Sequence, residues 1–427
     1  MKFLICALMA FQVSADLASD IDALAESIED RVIDWRRDIH QHPELSNREF
    51  RTAALVAKHL EALGLEVRTG VAHTGVVGIL RGGRNGRVVA LRADMDALPV
   101  EEATGLPYAS KVRTTFNGLD VGVMHACGHD NHVAILMGAA DVLAGVREGL
   151  SGTVKFIFQP AEEGPPQGED GGAQLMVEQG VLEDPDVEAI FGLHVSQLWA
   201  AGQAAFKPFG MMASAQRFEI TVTGSQVHGA WPWQGVDPVV VGSHIVTTLQ
   251  TIISRQIDIT ASPAVVTVGT FHAGVRSNII PGEARLTGTI RTFDPYVRED
   301  VHRRIRRIAK QVAESMGAVA TVKIAKGVGV TYNDGGLAER MRPTLQRVFG
   351  ATNVSDSGLI MGAEDFSAYQ EEVPGLFFFI GVRPPDVPAN KVISNHSPLF
   401  YADEDALGLG VRALALLAVD FLALPRD

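Results

Sequence analysis

The spacing of apolar residues changes period several times along the chain. Ile21, Leu24, Ile28, Val32, Trp35 and Ile39 recur at three- and four-residue steps, which marks one face of a helix. Ser19 is placed to cap it. Pro43, in the run His40-Gln41-His42-Pro43-Glu44, favours its end. A second helix is predicted from Asn47 to Leu63. Val76–Leu80, Val88–Arg92, Val154–Phe158, Ala189–Leu193 and Phe377–Gly381 are continuous, β-rich apolar runs, as expected of strands buried on both faces. Helical stretches such as His132–Leu143 lie between them, so the pattern predicts an α/β layered sheet.

The middle of the chain reads differently. Ala215–Thr223 alternates as a strand and Pro238–Ser254 is helical. Val265–Phe271 and Ala284–Arg291 read as strands, Tyr296–Ser315 as an Arg-rich helix and Ala320–Ala325 as a strand. The order β-α-β-β-α-β is that of a ferredoxin-like unit. It interrupts the α/β pattern, so residues 213–327 are predicted to be an insertion between 16–212 and 328–427.

Composition narrows the partners. At 427 residues the chain is too long for one ordinary core. With 46% hydrophobic and 20% charged residues it is expected to be globular. A formal charge of −13 and the lack of a long Lys/Arg run argue against nucleic acid or an anionic membrane surface. Lys2, the apolar run Phe3 to Phe11 and Val13-Ser14-Ala15 form the pattern of a signal peptide over residues 1–15, which predicts export to a periplasmic or secreted location. That run is too short to span a bilayer. The only cysteines are Cys6 and Cys127, so removal of the leader leaves Cys127 without an intramolecular partner. A buried thiol or a metal ligand would account for it.

Chemistry-bearing residues gather where strands are predicted to end. Val88–Arg92 runs into Asp94-Met95-Asp96, Val154–Phe158 towards Glu162-Glu163, and Ala189–Leu193 into His194, while His125-Ala126-Cys127-Gly128-His129-Asp130 precedes a helix. Open α/β sheets bind ligands at the carboxyl ends of their strands. On an extended loop Cys127 and His129 would present donors on one side, and the adjacent glutamates would point opposite ways, one to a metal and one to the reacting water. Taken singly, His194 reads as a core histidine, the glutamates as a solvated patch and Cys127 as a buried thiol. Their joint occurrence outweighs those readings. His59, His73, His244, His272 and His302 lack such company and read as structural or surface residues.

HQHPEL (His40–Leu45), LRADMDALP (Leu91–Pro99), MHACGHD (Met124–Asp130), QPAEEG (Gln159–Gly164), GLHV (Gly192–Val195), SNIIP (Ser277–Pro281), MGAEDF (Met361–Phe366) and NHSP (Asn395–Pro398) resemble, in order, motifs of the M20 metallopeptidase and amidohydrolase family. They are most similar to its N-acyl-amino-acid amidohydrolase, hippurate hydrolase and auxin-conjugate hydrolase branch. The resemblance implies a zinc-peptidase-like catalytic domain with an inserted lid that dimerises, or forms a higher oligomer, and closes over the site. It implies two divalent ions per subunit, Zn²⁺ or Mn²⁺ with Co²⁺ as a further candidate, held by Cys127, His129, Glu163, His194 and His396. Glu162 matches the general base and Asp96 the aspartate supporting a ligand. His228 matches a lid histidine that steadies the oxyanion, often from the partner subunit. Asn278 matches the lid asparagine. Arg291, at a strand end, could grip a substrate carboxylate, or form a surface ion pair. The implied reaction is hydrolysis of the amide of an N-acyl amino acid, with a di- or carboxypeptidase activity as the nearest alternative. Around His228 the chain departs from the family: Trp231 and Trp233 are bulky additions. Two rivals are a cysteine hydrolase using Cys127 as nucleophile and His129 as base, and an exported binding protein without turnover.

Overall fold

The structure is a computed structural model that describes residues 17–425. The proposed leader therefore lies outside the described residues. Residues 17–27 are helical, so Ser19 lies inside this helix and does not cap it. In chain order the elements used below begin with α1 (Glu29–Gln41), α2 (Phe50–Ala62), β1 (Glu66–Val71), β2 (Gly75–Arg81), β3 (Arg84–Asp94), α3 (His129–Gly145), β4 (Ser151–Gln159), β5 (Ala189–Ala200) and β6 (Ala204–Phe206). There follow β7 (Gln216–Thr223), α4 (Pro238–Thr251), β8 (Ala264–Ala273), β9 (Glu283–Thr292), α5 (Pro295–Ser315) and β10 (Val319–Ile324). The chain closes with α6 (Gly335–Phe349), β11 (Val354–Asp356), β12 (Gly375–Arg383) and α7 (Asp405–Leu422).

Two compact units result. The first comprises the chain up to Phe209, Asn333–Gly358 and the chain from Ala368 onward. Its eight-stranded sheet has the order β1-β2-β4-β3-β5-β12-β6-β11. The neighbours β4/β3, β3/β5 and β5/β12 are parallel, whereas β1/β2 and β2/β4 are antiparallel. The apolar runs follow from this placement: residues of β12 from Gly375 to Val382 are all buried. Helix α3 is buried along nearly its whole circumference, as expected of a helix apolar on every side. It packs on β3 and against α1 and α7. The short strands β6 and β11 and the edge strand β1 escape the sequence pattern, being too short or too exposed to carry a run.

The second unit is Gly210–Tyr332 together with Leu359–Ser367. Its sheet order β8-β9-β7-β10 is antiparallel throughout, which is the ferredoxin-like arrangement. Phe218, Ile220 and Val222 alternate on one face of β7 and pack with Ile245 and Leu249 of α4 and Val301 and Ile305 of α5. Both helices begin alike. Asp237 accepts from the amides of Val239 and Val240 ahead of Pro238, and Asp294 accepts from those of Tyr296 and Val297 ahead of Pro295, so each start is capped. Leu359–Ser367 differs from the predicted division, which left it outside the insertion. It clusters here because Ile360 bridges to Met212 and the Thr331 hydroxyl donates to the Glu364 carbonyl.

A candidate two-metal centre

Three loops and one strand of the first unit converge. Cys127 ends the loop before α3, and Gly128 turns the chain into that helix with φ of +95°. A Cβ at Gly128 would sit 2.4 Å from the Val195 side chain, so only glycine fits. Cys127 and His129 are thus brought together by a left-handed turn into a helix, not by an extended loop. His194 also departs from expectation. β5 does not stop at Leu193 but continues to Ala200, so His194 sits within the strand. Glu162 and Glu163 lie in a turn after Ala161, whose φ is +54°. Both of their amides donate to Asp96, at 3.0 and 3.1 Å, and the turn replaces the extended geometry expected of them. His396, also at positive φ (69°), arrives on a loop that Asn395 pins by donating to the carbonyls of Cys127 (2.8 Å) and Val195 (3.1 Å). Positive φ in a non-glycine residue stores strain and gathers at functional sites.

The Cys127 sulfur is the hub. It lies 3.4 Å from Nε2 of His194 and 3.2 Å from Nε2 of His396, which is itself 2.9 Å from the Glu163 carboxylate. Two triples of potential donors follow, Cys127-His129-His194 and Cys127-Glu163-His396, each with ligand atoms within 4.8 Å of one another. In His194, Nδ1 faces the Val195 carbonyl at 2.8 Å. In His129, Nδ1 faces the Asp96 carbonyl at 2.8 Å. A carbonyl only accepts, so both rings carry a proton on Nδ1 and turn Nε2 inward, the arrangement typical of metal-binding imidazoles. Nε2 of His129 is buried and has no hydrogen-bond partner, a costly state unless an ion occupies the space before it.

The electrostatics point the same way. Against the cost of its burial, Asp94 and Asp96 push the His129 imidazole up to about 10. Burial, then Glu163, Glu162 and Asp94, push the Cys127 thiol well above its usual range. A nucleophile and a metal ligand both act as the thiolate, so either role needs positive charge close to this sulfur. A carboxylate-rich, thiol-bearing cluster that draws in positive charge fits a divalent cation.

His132 forms a further triple with Asp94 and His129, but its ring is fully engaged. Nδ1 lies 2.5 Å from Asp94, and Nε2 accepts from the Val195 amide at 2.9 Å. Asp94 in turn accepts from Arg92 at 2.6 Å. His132 and Asp94 therefore brace the cluster from behind. Sequence reading missed both His132 and the bracing part of Asn395, for which the NHSP motif was the available signal.

The remaining expected residues lie in the second unit. His228 pairs with Ile279 in a two-residue antiparallel ladder, Val227–His228 against Ile279–Ile280. Its Nδ1 accepts from the Ala230 amide at 3.0 Å, so Nε2 carries the proton and is a donor. His228, Arg276 and Asn278 line a hollow of about 420 Å³. Arg291, on β9, is not among the residues lining that hollow, and Arg276 was missed by the sequence reading. Trp231 lies 5.1 Å from the His228 ring, and both Trp231 and Trp233 are exposed.

With this geometry in view, known proteins offer a comparison. Residues 90–420 match the family described as Peptidase family M20/M25/M40. Thermostable carboxypeptidase 2 of Saccharolobus solfataricus is 40% identical, across 95% of this chain and 99% of its own length. N-acetyl-L-cysteine deacetylase of Bacillus subtilis is 37% identical over 89% and 86%. An IAA-amino acid hydrolase of Arabidopsis thaliana is 38% identical over 92% and 86%. Among solved structures, a dinuclear metal-binding M20 peptidase of Bacillus subtilis superposes with a TM-score of 0.76 at 35% identity, covering 93% of this chain and 99% of that one.

Proposed function

We propose that this chain, which belongs to the peptidase family M20/M25/M40, is a metal-dependent amidohydrolase that cleaves N-acyl amino acids to a carboxylic acid and a free amino acid. The observation that carries the reading is the pair of donor triples sharing Cys127. Cys127, His129 and His194 would hold one divalent ion, and Cys127, Glu163 and His396 the other. Thiolate and imidazole donors favour zinc, with manganese and cobalt as alternatives. When bound, such ions supply Lewis acidity at the substrate carbonyl and acidify water.

The chain's own groups do the rest. Glu162, with its carboxylate 3.8 Å from Nε2 of His129, takes a proton from water as the water oxygen bonds to the acyl carbon. It returns that proton to the amine nitrogen as the C–N bond breaks. Asp96 positions it by holding the amides of both glutamates and the Ser46 hydroxyl (2.8 Å). His228 donates from Nε2 to the developing oxyanion, Asn278 binds substrate beside it, and Arg291 or Arg276 takes the amino-acid carboxylate.

Metal removal tests the reaction. Chelation is expected to abolish release of amino acid from N-acetyl- and N-benzoyl-alanine, and Zn²⁺, Mn²⁺ or Co²⁺ to restore it. Turnover that survives complete chelation would exclude a metal enzyme. Faster cleavage of dipeptides in the same panel would favour the carboxypeptidase reading, which the carboxypeptidase relative supports.

The second unit is also proposed to dimerise and to lend His228 to the partner's site. Mixing inactive Glu162→Gln and His228→Ala protomers is expected to regain activity, because a mixed dimer rebuilds one intact site. If subunits demonstrably exchange and activity stays absent, His228 does not act in trans.

A further inference from the structure

We propose that a cavity of about 710 Å³ beside Glu163 is the acyl pocket and selects substrates whose acyl group is bulky, apolar and uncharged. The inference rests on the amide-hydrolysis reading above. The cavity lies wholly in the first unit, begins at Glu163 and Gly164, and is walled by Leu45, Phe50, Leu98, Val112, Phe116 and Val123. Its outer wall is a hairpin, Arg113–Phe116 paired with Leu119–Gly122. Glu163 is both a lining residue of the cavity and a member of the Cys127-Glu163-His396 triple, so a group hanging from a carbonyl carbon held at that triple would be presented to this space. The volume falls within the roughly 300–1,000 Å³ range of small-molecule pockets, whereas an acetyl methyl would leave most of it to water.

Charge decides what enters. Two arginines line the cavity and both are committed. Arg48 binds Glu169 at 2.5 Å, and Arg113 binds Glu101 at 2.8 Å and Asp120 at 3.0 Å. Glu44 accepts from the amides of Arg51 (2.9 Å) and Thr52 (2.8 Å) at the start of α2, and the Ser46 hydroxyl is spent on Asp96. A carboxylate in this space would face Glu44 and Glu163 with no uncommitted cation among the described lining residues. An apolar group would instead displace water from the side chains, including a Phe50 that is 64% exposed. The substrate carboxylate therefore belongs elsewhere, and this space takes the acyl end.

The test compares N-acetyl-, N-hexanoyl-, N-benzoyl- and N-succinyl-alanine. Each buried methylene is worth about fourfold, so the additional methylenes of hexanoyl should raise kcat/KM by up to roughly 200-fold over acetyl, with succinyl well below hexanoyl. Thr114 lies on the same strand face as Phe116 and is exposed, so Thr114→Trp should fold normally. It should narrow the cavity and lower the hexanoyl-to-acetyl ratio by at least about tenfold. Calorimetric binding of the same compounds to metal-loaded Glu162→Gln protein separates the pocket from the chemistry. Equal kcat/KM for acetyl, hexanoyl and succinyl, with a ratio unmoved by Thr114→Trp, would overturn the pocket and leave amide hydrolysis standing. Chain-length-dependent binding that Thr114→Trp weakens, without turnover of any amide, would support the pocket and overturn the reaction.

Discussion

Glu162→Gln is expected to lower kcat by roughly 10²–10⁴-fold, the range a positioned general base supplies, while leaving the metal content of the protein unchanged. The glutamate pair explains the division. The Glu162 carboxylate faces Nε2 of His129 at 3.8 Å, whereas that of Glu163 contacts His396 at 2.9 Å, within the triple centred on Cys127. The amide of residue 162 still donates to Asp96 in the variant, because that bond uses the backbone. Glutamine keeps the shape but loses the negative charge and with it the ability to take a proton. Glu163→Gln provides the contrast and is expected to lose metal first and activity in consequence. Steady-state kinetics paired with elemental analysis of each variant decides the matter. Near-normal turnover by fully metallated Glu162→Gln would assign the base to another group.

Much of this arrangement was legible in the sequence because it depends on local pattern. The apolar runs of β3, β4, β5 and β12 and the order of elements in the second unit follow from periodicity and capping. The donor residues follow from their crowding near predicted strand ends. The local geometry did not follow. Nothing in a one-dimensional pattern distinguishes an extended Cys-Gly-His from a left-handed turn, since Gly128 permits both and the Val195 side chain, distant in sequence, excludes any other residue there. His129 and His132 are one helical turn apart, and neither position reveals which ring keeps a nitrogen uncommitted. That is settled by the Val195 amide, which occupies Nε2 of His132. The cavity beside Glu163 was invisible for the same reason. Its walls come from four separated stretches, and although three of them touch the HQHPEL, LRADMDALP and QPAEEG motifs, nothing in those motifs shows that they surround one space.

The two donor triples have one atom in common, and that makes Cys127→Ser the substitution with the widest expected effect on metal. Removing a group that merely supports a ligand typically costs 10–100-fold in metal affinity. Loss of the thiolate removes a donor from both triples, so affinity for both ions is expected to fall by at least about that factor, and activity with it. The protein should still fold, since serine is smaller than cysteine and the loop remains tied by Asn395 to the Cys127 carbonyl and by the His396 amide to the Ala126 carbonyl at 2.8 Å. A spectroscopic readout separates ligation from nucleophilic catalysis. Co²⁺-loaded protein should show a thiolate-to-metal charge-transfer band that Cys127→Ser lacks, at matched cobalt content. A nucleophilic cysteine predicts the reverse pattern: metal uptake intact in Cys127→Ser, no such band in either protein, and activity indifferent to chelation. The burial of the sulfur and its 3.2 and 3.4 Å approaches to two imidazoles favour the ligand. If Cys127→Ser retains both ions with unchanged affinity, the shared-sulfur centre is wrong.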